Sequence, residues 1–252
     1  MKLSVVIPVL NEAVTIDDTL RAVMARVAPL EVIVVDGGST DGTVAVAERP
    51  GVRVINGPRG RGSQMHVGAS AATGDALWFL HADTLPPPDG ATQIEQALRD
   101  PQAIGGNFDI HFDGDFASAK FLTWVYRHLS WIGLRYGDSG YFVRRDAYDA
   151  VGGFRPYPIF EDLDLLRRLR RRGRFVRVPA TVITSSRRFA GRSFALVFAR
   201  WTFMQVLYWL GASPIWLGRF YEHIRVPGRA WRSWTTDKAK GTHHADLSAN
   251  PR

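Results

Sequence analysis

The chain has 252 residues, 46% of them hydrophobic, and no cysteine. That is enough for one large α/β domain, or one domain with an appendage, and it excludes disulfides, thiolate metal sites and a cysteine nucleophile. The net charge of +8 and isoelectric point near 10.2 suit nucleic acid, an anionic membrane surface or a phosphate-bearing substrate.

Leu3 to Val9 is apolar without alternation, as a strand buried on both faces is. It lacks the length and flanks of a signal peptide, so the expected location is cytoplasmic. Asn11-Glu12 opens a polar turn. Thr15 is the expected N-cap of a helix to about Val27, with Asp17 and Asp18 in its first turn and Pro29 after it. Glu31 to Val35 reads as a second strand, completing a right-handed βαβ unit. The loop Asp36-Gly37-Gly38-Ser39-Thr40-Asp41-Gly42-Thr43 follows. Its glycines let the backbone approach a ligand. Asp36, at the strand's carboxyl end, suits a base N–H or a ribose hydroxyl, whereas Ser39, Thr40 and Asp41 suit helix capping. The loop is not a G-x-G-x-x-G fingerprint.

A short helix over 44–48 and a strand over 52–55 lead to Gly57-Pro58-Arg59-Gly60-Arg61-Gly62. Two arginines among glycines fit a diphosphate or a plain surface loop, and the Walker lysine and serine are missing. A small-residue helix over 64–72 precedes the apolar strand Ala76 to Leu80, which stops at His81-Ala82-Asp83-Thr84 and three prolines. On an extended backbone His81 and Asp83 point the same way, a pairing able to hold a divalent cation or merely to end a strand.

Helix 91–99 is amphipathic, and 103–112 reads as a strand with clean alternation over 108–112. Helix 116–132 carries Phe121, Trp124, Tyr126 and Trp131, a stripe more typical of core than of a substrate platform. The loop Arg135 to Gly140 has the small polar composition of a pocket floor and leads to a strand at 141–143. A short helix from Asp146 ends at Gly152-Gly153. Glu161, Asp162 and Asp164 then open the most basic segment, with seven arginines between Arg167 and Arg177. That run reads as a solvated helix face or as a basic surface near a membrane or phosphate. Without an interleaved aromatic platform it does not indicate nucleic acid. Acids before arginines complement a helix dipole, but this does not account for two adjacent carboxylates directly after an aromatic loop.

Residues 194–221 are very apolar, hold Trp201, Trp209 and Trp216, and are interrupted by Gln205, Gly211 and Pro214. They read as one or two helices, either interfacial at a membrane or closing an acceptor pocket or dimer contact, but not as a span. Residues 227–252 are polar and basic and expected to be disordered, His243-His244 included.

Four stretches, VVIPVLNE, VDGGSTDGT, GRGSQMHVGASAATGDALWFLHADT and FEDLDLLRRLRRRG, resemble in order and spacing the family 2 glycosyltransferases, over roughly residues 3 to 190. More narrowly the chain resembles small bacterial members associated with radical-SAM and selenium-related genes. The resemblance implies a GT-A fold: a mostly parallel sheet flanked by helices, over 1–190, with an aromatic helical segment over 191–226. It implies a nucleotide-sugar donor held by Pro8, Asn11, Glu12, Asp36, Arg61, Ala82 and Asp83, and a divalent ion (Mg2+ or Mn2+) on Asp83. His81 stands where the family's D-x-D motif has its first acid. Asp162, beside Glu161, matches the catalytic base of an inverting transfer to a hydroxyl acceptor. Gly140, Arg187 and Arg188 are assigned to acceptor or phosphate. The Q-x-x-R-W motif of processive synthases is absent. The competing readings are a nucleotidyltransferase, whose N-terminal signature is missing, and an inactive membrane-peripheral nucleotide-sugar-binding protein.

Overall fold

The computed structural model describes residues 1–29, 31–114, 116–131, 134–187 and 193–221. Arg188 and the basic tail therefore lie outside the described residues. Strands β1 (Leu3–Val9), β2 (Glu31–Asp36), β3 (Val52–Asn56), β4 (Ala76–Phe79), β5 (Thr84–Leu85), β6 (Ala103–Phe112), β7 (Phe142–Arg144) and β8 (Arg174–Thr184) form one sheet in the order β3-β2-β1-β4-β7-β6-β8-β5. From β3 to β4 the neighbours are parallel. β7 runs antiparallel to β4 and β6, and β6 and β8 pair in parallel.

Burial on both faces explains the unbroken apolar runs. Alternate residues of one strand serve opposite layers. Val5, Ile7 and Val9 join Trp78 and Leu80 in the cluster that contains Ile16, Leu20 and Val23 of helix α1 (Ile16–Arg26). Val6, Leu77 and Phe79 join Met65 and Ala69 of α3 (Arg61–Ala71) on the other side. α3 lies so close to the sheet that a Cβ at Gly68 would strike Val6 and stand 2.9 Å from Val35 Cγ2. The small residues of this helix are what that approach demands.

The remaining helices are α2 (Thr43–Ala47), α4 (Gly90–Ala97), α5 (Ala117–Trp131), α6 (Arg145–Ala150), α7 (Glu161–Leu169), α8 (Phe194–Trp209) and α9 (Pro214–Tyr221). The stripe expected in the core on α5 is split. Tyr126 is buried with Ala119 and Leu122, whereas Phe121, Trp124 and Trp131 are exposed, Trp131 to 69%. The aromatic positions go round the helix, and only one face meets the sheet. The basic run is not one solvated helix face either. α7 ends at Leu169, and β8 begins at Arg174. Arg168 is largely buried and bonds Asp164, and Arg177 pairs with Asp109. β8 was not anticipated. Its arginine-rich start and Pro179, in a register shift opposite Phe108 and Asp109, hide its alternation.

α8 and α9 are two helices, as expected, and no helix among the described residues is long and apolar enough to cross a membrane. Met204 and Leu217 pack on Ile159 just ahead of α7, and Phe194 and Phe198 pack on Phe121. The opposite side leaves Leu196, Phe203, Trp209, Leu210, Trp216 and Phe220 exposed.

Candidate active site

The strand order places the crevice. From β1 the chain goes to β2 on one side and later returns to β4 on the other, and ligands of open α/β sheets bind where that order reverses. Three loops meet there. Pro8 is buried within β1, opposite Val35. Asn11 adopts a left-handed φ of 56°. Its N–H reaches Ser39 Oγ at 2.9 Å, and its Oδ1 accepts the Thr40 N–H at 2.8 Å. The Glu12 N–H donates to Thr43 Oγ1 at 2.7 Å, so the loops after β1 and β2 brace each other. Thr15 stands at the N-cap position but makes no side-chain cap. Its hydroxyl donates to Glu12 Oε2 at 2.8 Å and orients that carboxylate.

Asp36 is buried and accepts the Gly38 and Ser39 N–H groups at 2.9 and 3.0 Å and the Ser39 hydroxyl. In the free protein it shapes its own loop, and Asp41 does the same around Thr43 and Ala13. Gln64, which sequence reasoning passed over, is buried with Nε2 donating to the carbonyls of Val9 and Val35, each at 2.8 Å. It ties together the carboxyl ends of β1 and β2.

His81 and Asp83 do not share an extended face. β4 ends at Phe79, and a turn closed by Thr84 N–H to the His81 carbonyl (3.1 Å) sends the two side chains to different partners. His81 Nδ1 lies 3.2 Å from Asp138 Oδ1, while Asp83 Oδ2 lies 3.1 Å from Arg187 Nη2. Ala82 is buried, and its carbonyl accepts the Thr19 hydroxyl. Arg187 also bonds the Glu12 carboxylate, placing a guanidinium between two acids. Burial raises the Glu12 carboxyl above its ordinary range. Arg187 opposes that rise and nearby Asp83 adds to it. Among the described residues no group of three His, Asp or Glu side chains could hold a metal by itself.

The second half of the site is the start of α7. Phe160 takes a left-handed φ of 60° and turns the chain abruptly into the helix. Glu161 is 1% and Asp162 7% exposed. Asp162 Oδ2 accepts the Gly137 N–H at 2.6 Å and Oδ1 the Leu163 N–H at 2.8 Å. Burial pushes its carboxyl up to about 6, and Glu161 adds to the rise while Arg61 opposes it. Arg61, at the start of α3, bonds Glu161 and lies 3.5 Å from Asp138 Oδ1. Asp138 thus joins the β4 turn to α7 through His81 on one side and Arg61 on the other. Sequence reasoning marked its loop as a pocket floor but not this residue. Gly140, with φ of 67°, lies against the indole of Trp78. Asp164 has a structural part, surrounded by Arg155, Arg167 and Arg168.

Beside Asp162 is a cavity of about 40 Å3. Tyr136 and Asp138 contribute to its walls from one side, Trp201, Met204 and Gln205 of α8 and Tyr221 of α9 from the other. Burial, then Asp162, pushes the Tyr136 phenol up to about 12, so it remains a hydrogen-bond donor at neutral pH.

The family model for "Glycosyl transferase family 2" matches residues 4–163, a stretch that includes both halves of this site. The chain belongs to that family. Its fold is α/β. Among curated relatives it is 34% identical over 117 residues to the undecaprenyl-phosphate 4-deoxy-4-formamido-L-arabinose transferase of Sodalis glossinidius, covering 41% of this chain and 36% of that protein. It is 28% identical over 175 residues to glycosyltransferase AglE of Haloferax volcanii, covering 60% and 55%. The chain thus spans between about a third and about half the length of those relatives. Among solved structures it superposes on glucosyl-3-phosphoglycerate synthase of Mycobacterium tuberculosis, in complex with Mn2+, UDP and glucosyl-3-phosphoglycerate. The TM-score is 0.58 at 22% identity, over 79% of this chain and 75% of that one. S. aureus TarS gives 0.57 at 16% identity, over 75% and 61%. At such identities the likeness is one of fold.

Proposed function

We propose that this glycosyltransferase moves a sugar from a nucleotide-diphosphate donor to a hydroxyl acceptor in one inverting displacement, with Asp162 as base. The observation that carries this reading is the Asp162 carboxyl. It is buried, held by two backbone N–H groups at the wall of a cavity, and tuned to about 6. A base of that strength is ionised at neutral pH yet basic enough to take a proton from a hydroxyl as it attacks.

The donor lies in the crevice after β1, β2 and β4. Pro8, Asn11, Glu12 and Asp36 line the nucleoside end, and Arg61, Ala82, Asp83, Gly140 and Arg187 lie toward the diphosphate. The cation between Glu12 and Asp83 is at present the Arg187 guanidinium, so the place is built for positive charge. One carboxylate suits Mg2+ or Mn2+, which keep waters and would take remaining ligands from the diphosphate, whereas His81 is turned to Asp138. Such an ion on Asp83 would neutralise charge building on the leaving diphosphate. Arg187 would then be within the donor crevice to face the phosphates. As the acceptor oxygen bonds the anomeric carbon, its proton passes to Asp162. The bond to the diphosphate breaks, and its electron pair leaves with the nucleoside diphosphate. The solved synthase, in complex with Mn2+ and UDP, supports the nucleotide donor and the divalent ion in this reading, not the stereochemical course.

The test is a panel of nucleotide sugars with Mg2+ or Mn2+, scored for nucleoside diphosphate. Metal-dependent release from one donor, lost in Asp83→Ala, is the expected result. Release of pyrophosphate instead would establish a nucleotidyltransferase, binding of a donor without release would leave an inactive nucleotide-sugar-binding protein, and no binding of any donor would overturn the donor reading.

The exposed face of α8 and α9 supports a peripheral membrane contact. α8 is apolar on all sides, which in water requires a covering, and tryptophans beside Arg200 and Arg219 on a chain of charge +8 suit an anionic interface. The chain is expected to sediment with phosphatidylglycerol vesicles, and Trp209→Ser/Trp216→Ser to abolish this. Dimerisation of the wild type that the double substitution disrupts, without vesicle binding, would assign the face to a second copy.

A further inference from the structure

We infer that Gln205 and the aromatic walls around it form the acceptor subsite, and that this subsite takes an uncharged hydroxyl borne on a ring rather than a phosphate. The inference rests on the transferase reading and names its acceptor class. Gln205 sits on α8, only 8% exposed, and its Nε2 has no hydrogen-bond partner. Buried amide donors are nearly always satisfied, so an enclosed, unpartnered one on a residue that lines a cavity marks a place where an acceptor atom can be received. Gln205 lines the same cavity as Asp162. In the subsite inferred here, an incoming oxygen receives the amide N–H of Gln205 and gives its proton to Asp162.

Charge narrows the class. Among the described lining residues Asp138 and Asp162 face a single cation, Arg61, and Arg61 also carries the buried Glu161. A phosphate would bring its charge into a pocket whose carboxylates already outnumber its guanidinium. Shape narrows it further. Four of the lining side chains, Tyr126, Tyr136, Trp201 and Tyr221, are aromatic, a wall composition suited to a ring. The volume of about 40 Å3 has room for about three water-sized groups, hence for the hydroxyl-bearing edge of a ring.

Sequence reasoning registered Gln205 only as an interruption of an apolar run. A lone amide in such a helix is the signal that could have found it.

The experiment uses the full chain and p-nitrophenyl β-glucoside, α-mannoside and β-galactoside as neutral ring probes, with 3-phosphoglycerate as the anion. Binding is followed by saturation-transfer NMR and titration, and UDP with Mn2+ is titrated in the same samples. At least one glycoside is expected to bind, to be undisturbed by 3-phosphoglycerate, and to weaken tenfold or more in Gln205→Met and in Trp201→Ala. Gln205→Met is expected to unfold at no lower temperature than the wild type, because the amide donor it removes has no partner in the free protein. Failure of all three glycosides, equal affinity in both variants, or displacement by 3-phosphoglycerate overturns the inference. UDP bound without any glycoside leaves the donor reading standing and the subsite refuted. A glycoside bound in a Gln205-dependent way without UDP does the reverse.

Discussion

Asp162→Asn is expected to lower the rate of sugar transfer by about 10²–10⁴-fold, the usual worth of a positioned general base, while UDP with Mn2+ binds as before. Asparagine keeps the shape and one oxygen for either the Gly137 or the Leu163 N–H, leaving the other opposite its NH2, and it cannot take a proton. Steady-state kinetics beside a UDP titration separate the two effects. Retained activity, or a trapped glycosyl-enzyme adduct, would remove Asp162 from the role of base in a single displacement.

The same residue sets the pH dependence. The wild-type rate is expected to rise with pH through about 6, where Asp162 ionises, and then to level off. Stability runs the other way. The folded carboxyl titrates near 6 and the unfolded one near its ordinary 3.8. Between those values the folded state holds a proton that the unfolded state has released, so stability falls as pH rises through this window. A shift of that size corresponds to about 3 kcal/mol, felt in full above pH 6. Melting temperatures measured from pH 4 to 8 should therefore move in favour of Asp162→Asn relative to the wild type as pH rises, on top of a pH-independent cost for the backbone N–H that asparagine leaves without an acceptor. A difference independent of pH would mean that the folded protein does not raise this carboxyl.

The parts legible in the sequence are those decided locally. β1, β2 and β4 are buried on both faces and therefore read as apolar runs, and the polar groups at their carboxyl ends follow from where those runs stop. Pairing across the sheet is not local. Arg61 and Glu161 are 100 positions apart, and neither motif announces the other. An extended backbone would put His81 and Asp83 on one face, whereas a hydrogen-bonded turn begins at His81. β8 is obscured because its outward positions carry arginines that serve partners elsewhere, such as Asp109 for Arg177. Trp124 and Trp131 look like core residues by type. What decides their exposure is that α5 has only one sheet face to pack on.

Arg61→Ala is expected to be the most destabilising of these substitutions, by about 3–5 kcal/mol, because it strands a buried carboxylate. Glu161 is almost wholly enclosed, and its second oxygen, Oε2, has no partner even in the wild type. Arg61 itself stays charged. Burial works against its guanidinium, but Glu161 and then Asp138 hold it well above its ordinary range. Removing the arginine also removes the cation that restrains Asp162, so the base should climb further above 6 and the pH–rate profile should move to higher pH. Arg61→Ala/Glu161→Gln is expected to recover most of the stability, since no unpaired charge then remains between α3 and α7. It should also bring the profile back toward the wild type, because the glutamate that raises Asp162 has gone with the arginine that lowers it. Chemical denaturation and a pH–rate series on the three proteins test both consequences. A stability loss with an unmoved profile would make Arg61 a strut for α7 and nothing more. A raised donor KM in the double variant would place it against the diphosphate as well. No stability loss in Arg61→Ala would mean that Glu161 is not held as a buried ion in the free enzyme.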